Sequence, residues 1–471
     1  MTAARTLAIL LYALMSFDVS AERDMLNYLY KFDRPGEIDK LPSEQQPLLT
    51  RIATHASNTE YDTAISLSQS LLDSSDALQD DDPTSYGKLL TNHAILLGVS
   101  GQYADALPLL ASSGEYLEQQ LNRFSPGLIG HAMATGITLL HLSDYAEDED
   151  SFRRAQHLAH RQGGVYAAEQ LATLNYITHA YLHQGKPQEA DREQRFTLRI
   201  SEHSHGRNSP ALLPTLASLG NYYAARVGSM SPLSSGLSSP SEGLPYQDLL
   251  LKQAITMRER AIGIVESEYG AADLRLLEPL RGLASTYMLL AKKRKHAEPV
   301  LWRALQIATA NPNASLTNHA QALTDLGDFY TVTANKRAGE QYLQAWNRLQ
   351  ESAAGRQRAE QLFSTPVRLH PPQRSLIYLS RRPDAADEGD ELFVELRYAV
   401  GIDGKVQSVE VLNKNVPNEN VRLLRTRIRT TRFRPRITDG ALTPADGLVM
   451  RQLYKVRPKK APSASEEPSA E

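Results

Sequence analysis

The sequence predicts a mainly α-helical chain, a solenoid of stacked helical hairpins followed by a small α+β domain. Three observations predict it: a 42-residue period along most of the chain, helical apolar spacing inside each period, and apolar alternation near the C-terminus. The chain has 471 residues, 41% hydrophobic and 22% charged, and can bury a large core. Its net charge of -3 argues against nucleic-acid binding driven by bulk charge. It has no cysteine, which excludes disulfides, thiolate metal sites, iron–sulfur clusters and cysteine nucleophiles.

The first element is an export signal. Arg5 is the one charge before Asp18, Thr6 to Phe17 is apolar, and Val19-Ser20-Ala21 supplies small residues for cleavage after Ala21. Charge, apolar run and small residues stand in the order of a secretory signal peptide. The run is shorter than the roughly 20 residues of a membrane span. The expectation is a signal over residues 1–21, an N-terminal segment over 22–44, and a soluble protein in the periplasm of a Gram-negative cell.

The solenoid follows over residues 45–352. Tyr61, Tyr103 and Tyr145 are 42 apart and Pro187 takes the next place. Ala64, Ala106, Asp148 and Ala190 keep the same step, as do Leu97, Leu139, Tyr181 and Tyr223. Gly101, Ser143 and Gly185 mark a shared turn. The step then lengthens to 64 from Tyr223 to Tyr287 and from Ala190 to Ala254, which places an insert of 22 residues at 228–249. Within it, Gly228 to Pro245 is rich in Gly, Ser and Pro and reads as a loop. Within one unit Leu171, Leu174, Ile177, Ala180 and Tyr181 form a helical apolar face, Gly185 breaks it, and Pro187 opens a second helix. One hairpin cannot bury its face alone, so stacked neighbours supply the core.

These units resemble the tetratricopeptide family, in the long variety found in kinesin light chains. The resemblance rests on Leu219-Gly220 with Tyr223, Gly185 with Ala190, Gly101 and Tyr103 with Ala106, and Leu326-Gly327 with Tyr330. Ile200 to Gly206 and Val265 to Gly270 look like the connections between its repeats. About seven units are expected, the last short. The tryptophan often found early in the first helix is absent, and Asp148 replaces a small residue. The resemblance implies a concave groove lined by the first helix of each unit. In this register His141, Asn175, His179, His183, Asn221, Arg281 and Asp328 line it as candidate peptide-binding residues, or as the wet side of the solenoid.

Residues 353–390 lose the period and read as a linker or docking strap ending in the acidic stretch Asp384 to Glu391. Leu392, Val394, Leu396, Tyr398 and Val400 then alternate as a strand, Gly401 to Gly404 turns, and Val406, Val409 and Val411 continue in a second strand. Asn418 to Arg429 can form a helix, and Gly447 to Val456 reads as a last strand. Residues 391–457 resemble the TonB C-terminal domain through Gly404 to Val411, Phe433 with Pro435, and Gly440. That resemblance implies a small α+β domain binding peptides along a sheet edge. The tail 458–471 has a disordered composition.

Residues 391–457 carry a charge of +6, and seven arginines lie between Arg422 and Arg436. Arg422, Arg425, Arg429 and Arg432 are a solvated face or a docking patch for an acidic envelope surface. No catalytic motif is present, and no cofactor is implied. His179 and His183, at helical spacing, lack an evident third metal ligand. The chain therefore reads as a non-enzymatic scaffold, binding one envelope protein or peptide through the groove and another through the sheet edge. Export makes nucleic acid an improbable partner. The rival reading is a TonB-like energy transducer, which requires that the N-terminal segment be retained in the inner membrane.

Overall fold

The computed structural model describes residues 24–31, 38, 41–142, 147–229, 240–370, 376–379 and 391–456. The expected signal at 1–21, Ser143, Tyr145 and the tail 458–471 lie outside the described residues. The described chain forms two compact units, divided between Leu219 and Gly220.

The N-terminal unit is built of hairpins. α1 (Gln46–Ser57) pairs with α2 (Tyr61–Asp73), α3 (Pro83–Val99) with α4 (Tyr103–Gln120), α5 (Ile129–His141) with α6 (Glu147–Gly163), and α7 (Gln170–His183) with α8 (Pro187–His205). The period explains the starts: Tyr61, Tyr103 and Pro187 each open a second helix. Asp82 caps α3 by accepting the Ser85 N–H at 3.4 Å, and Pro83 occupies the first turn where no N–H is needed. The shared turn is left-handed at Gly101 (φ 85°) and Gly185 (φ 72°), and also at Thr59 (φ 64°), which lacks the freedom of glycine. Ala64, Ala106, Asp148 and Ala190 are all fully buried, so the small column sits where two helices touch. The stretch from Ile200 to His205, expected as a connection, is instead the last part of α8, which stops at Gly206 with φ 85°.

The C-terminal unit begins within α9 (Leu213–Ser229). α10 (Pro240–Tyr269) follows, then the pairs α11 (Leu277–Met288) with α12 (Ala297–Ala310) and α13 (Leu316–Val332) with α14 (Ala338–Gln350). Gly228 to Pro245 is expected as a loop, but Gly228 and Ser229 end α9 and Pro240 to Pro245 open α10; residues 230–239 lie outside the described residues. A helix start at Pro240 is compatible with its fixed φ. The expected connection from Val265 to Gly270 is likewise helical as far as Tyr269. Tyr330, Tyr342, Leu349 and Phe363 are fully buried in the core between α13, α14 and the helix that follows.

The stretch 353–390 is not a plain linker. Its first part is α15 (Ala353–Phe363), capped by Ser352, which accepts the Gly355 N–H at 3.0 Å. β1 (Val367–His370) and β2 (Leu376–Leu379) come next. The remaining elements are β3 (Leu392–Val400), β4 (Val406–Lys414), α16 (Asn418–Thr430), β5 (Arg432–Arg434), β6 (Arg436–Thr438), β7 (Ala441–Thr443) and β8 (Ala445–Val456). The main sheet has the order β2-β8-β3-β4, antiparallel except that β2 runs parallel to β8; β1 pairs with β5, and β6 with β7. Leu392, Val394, Leu396 and Val400 point into a core closed by Val421, Leu424 and Ile428 of α16. The strap thus supplies one edge of the sheet, and β4 forms the other.

Candidate binding surfaces

In the N-terminal unit the structure gathers three of the expected groove residues. His141 ends α5 and stacks on the Tyr103 ring, with centroids 4.1 Å apart and planes 5° from parallel. On α7 the rings of His179 and His183 lie 4.4 Å apart. Burial pushes the His179 pKa down to about 3, and the nearby His183 and His141 act in the same direction. A neutral imidazole offers one donor and one acceptor. Asn175 lies one turn earlier on α7, half-buried. Among the described residues no group of three His, Asp or Glu side chains could hold a metal ion.

A more elaborate arrangement in this unit escaped the sequence reading. The segment Asp24–Tyr30 lies against α3, α5 and α7. Asn92 of α3 accepts the Tyr30 N–H at 2.7 Å and donates to the Tyr30 carbonyl at 2.8 Å. The Tyr30 hydroxyl donates to the Gly127 carbonyl at 2.6 Å and accepts the His131 N–H at 3.1 Å. Met25 is fully buried beside Gly98, and Tyr176 of α7 donates to the Asp24 carboxylate at 3.4 Å. The legible signal was the polar triplet Thr91-Asn92-His93 inside the otherwise apolar run from Leu89 to Val99, buried throughout. A buried amide requires a partner, and here the partner is another backbone.

In the C-terminal unit Asn221 is exposed, and its side-chain oxygen accepts a hydrogen bond from Arg258 of α10. Arg258 is 3% exposed; a Cβ at either Gly220 or Gly282 would come within 2.6 Å of it, so both glycines make room for the side chain. Burial pushes its pKa down, while Glu278 opposes that. Arg281 of α11 pairs with Asp325 of α13 at 2.7 Å and lies 3.7 Å from Glu278. Burial pushes the Asp325 carboxyl up, and Arg281 acts against it. Gln321 donates to Asp325 at 2.8 Å, and Arg358 of α15 donates to Gln321 at 3.2 Å. These side chains and Asn318 line a concavity of about 200 Å³.

Asp328 is placed differently from the expectation. It does not line an open groove: Arg434 of β5 donates to both its oxygens, at 2.9 and 2.6 Å, and Tyr342 donates to it at 2.9 Å. The period places Asp328 on an inner face, but it carries no information about what the later strands lay over that face.

The arginine cluster is likewise divided. Arg422 and Arg429 are exposed on α16, whereas Arg425 and Arg432 are half-buried, and Arg432 donates to the Thr431 carbonyl at 3.3 Å. Arg434 is buried. The helical period turns only part of the cluster outward. Beside it, β4 pairs with β3 along one side and has no strand on the other among the described residues.

No protein-family model matches the chain, and no curated protein matches it. Among solved structures, similarity is found to a kinesin light chain-like protein of Podosopora anserina with nearly identical TPR-like repeats (15% identity, TM-score 0.38, 49% of this chain and 98% of that one). BtubC (BKLC) of P. vanneervenii is similar at 17% identity, with TM-score 0.38, over 54% of this chain and 93% of that one. The apo form of the quorum sensor NprR of B. thuringiensis is similar at 12% identity, with TM-score 0.33, over 71% of this chain and 99% of that one.

Proposed function

We propose that the protein is a periplasmic scaffold that binds one protein segment on the inner helices of its hairpins and a second along the free edge of its C-terminal sheet. The observation that carries the reading is the nine-residue strand β4. It is one edge strand of the sheet, with no strand on its outer side among the described residues, and the other edge strand, β2, is only four residues long. An edge strand presents backbone donors and acceptors that an added strand satisfies without any chemical step. The concavity at Arg281, Gln321 and Asp325 supports the first half of the reading, because charged and amide side chains there can hydrogen-bond a peptide. Two binding surfaces on one chain raise the effective concentration of each target near the other. We read the sheet module as TonB-like in its use of an edge, and the Arg422 and Arg429 face as a contact for an acidic envelope surface.

The test of place and form is intact mass combined with fractionation of a Gram-negative host. The reading expects a soluble periplasmic protein lacking residues 1–21. A full-length mass in the membrane fraction would overturn it in favour of an anchored energy transducer.

A further inference from the structure

The segment Asp24–Tyr30 belongs to no hairpin, yet Met25 is fully buried and Leu29 and Tyr30 nearly so. Two features set it apart from ordinary core packing. Its backbone at Tyr30 is held by a side-chain amide, Asn92, rather than by another backbone. That is a means of holding a main chain whatever its sequence. In addition, the helices under it carry glycine where it crosses. A Cβ at Gly98 would lie 2.8 Å from the Met25 methyl, and one at Gly130 would lie 3.0 Å from the Tyr28 carbonyl and 3.2 Å from the Tyr30 ring. Glycine inside a helix is disfavoured by about 1 kcal/mol, so these positions trade helix stability for fit.

We propose that residues 24–30 are an intramolecular ligand of the face formed by α3, α5 and α7, and that a partner peptide of the same chemistry replaces them there. That peptide carries a carboxylate, an adjacent flexible apolar side chain, and a tyrosine five residues beyond the apolar one. Each requirement has its counterpart: the Tyr176 hydroxyl for Asp24, the space at Gly98 for Met25, and the Gly127 carbonyl with the His131 N–H for the Tyr30 hydroxyl. Because the phenol both donates and accepts, the face distinguishes tyrosine from phenylalanine. The resident segment competes at the high effective concentration of a tethered ligand, so only the fraction of molecules with the face vacated binds in trans. The proposal rests on the reading of the inner helices as a peptide-binding face.

The probe is a fluorescein-labelled peptide with the sequence of residues 22–31, and the readout is its anisotropy with the full chain. The Met25→Ala/Tyr30→Ala variant, which weakens the resident segment, should bind the probe at least tenfold more tightly than the unaltered chain. Adding Asn92→Ala should remove that gain, and phenylalanine at the Tyr30 place of the probe should weaken binding about tenfold. Tyr30→Phe is the second variant, since it removes only the hydroxyl that bonds the Gly127 carbonyl and the His131 N–H and leaves the face intact; it too should bind more tightly. Folding of each variant is checked by helical circular dichroism and melting. A folded variant of either kind that binds no more tightly than the unaltered chain overturns the proposal. The general scaffold reading is tested elsewhere, at Thr317 and Ser408 in the C-terminal unit, so the two can fail separately.

Discussion

The Arg434 guanidinium straddles the Asp328 carboxylate, donating from Nε at 2.9 Å and from Nη2 at 2.6 Å between residues 106 apart in sequence. Nη1 of the same arginine reaches the Leu362 carbonyl at 3.2 Å, and the Tyr342 hydroxyl adds a third donor to Asp328. β5 is thereby fastened to α13 and α15. The turn after β3 joins in: the Phe433 N–H donates to the Gly404 carbonyl at 2.9 Å, and a Cβ at Gly404 would meet the Phe433 carbonyl at 2.1 Å. The sheet module and the last hairpin are consequently tied by a buried, two-pronged charge pair, a contact whose loss on one side leaves the other charge stranded.

Single substitutions should expose that dependence. Asp328→Asn and Arg434→Met are each expected to destabilise the C-terminal unit by about 3–5 kcal/mol. The double variant should lose less than the sum of the two, because no unpaired charge remains. Chemical denaturation of the three variants measures the coupling, and strict additivity would contradict the contact.

The repeat turn makes a prediction of opposite sign. Ala334 has φ 58° and Thr59 φ 64°, in the place where Gly101 and Gly185 stand in other hairpins. A side chain in the left-handed region costs about 1–2 kcal/mol, partly offset by the greater unfolded freedom of glycine. Ala334→Gly should therefore raise stability by up to about 1 kcal/mol, and Gly185→Ala should lower it by a similar amount in thermal melts.

Two helical glycines should respond oppositely to alanine. Gly263 in α10 has open space around it, so Gly263→Ala should stabilise by about 0.5–1 kcal/mol through helix propensity. At Gly327 a Cβ would lie 2.5 Å from the Tyr342 ring, which is fully buried, so Gly327→Ala should cost about 1–3 kcal/mol by overpacking. Comparing the two melting shifts checks the packing of α14 on α13.

Acid should weaken the N-terminal unit. Burial lowers the pKa of His179 to about 3, and burial also depresses His93 and His131. A histidine with a depressed folded pKa contributes full stability above its unfolded value of about 6.5 and loses it as pH falls toward the folded value. For His179 the window is about pH 6.5 to 3, and the slope is at most about 1.4 kcal/mol per pH unit. His179→Gln should flatten that part of the stability–pH curve; an unchanged curve would contradict the burial of the imidazole.

The solenoid was legible because each hairpin must repeat the same packing. The buried column from Ala64 to Ala190, the start of α8 at Pro187 and the left-handed turns at Gly101 and Gly185 all follow from the period. The sheet core was legible from the alternation of Leu392, Val394 and Leu396. The strands β1 and β2 were not, because four-residue strands among prolines carry almost no pattern and are fixed by the partners they find, β5 and β8. Asp328 was misplaced for the same reason: Arg434 lies far along the chain, and no local spacing reveals the contact. His179 and His183 stand at helical spacing and His141 was placed by the repeat register, whereas the contact of Asn92 with Tyr30 spans 62 residues and lies outside the repeat.

The claim that the inner helices and the β4 edge are binding surfaces is tested most directly by site-specific photo-crosslinking in living Gram-negative cells. A photoreactive residue is placed at Thr317 beside the concavity, at Ser408 on β4, or at the exposed Gly263 on α10 as a control; all three positions are open to solvent. The account predicts discrete protein adducts from Thr317 and from Ser408 and none from Gly263. Equal labelling at all three positions, or none at the first two, would contradict it.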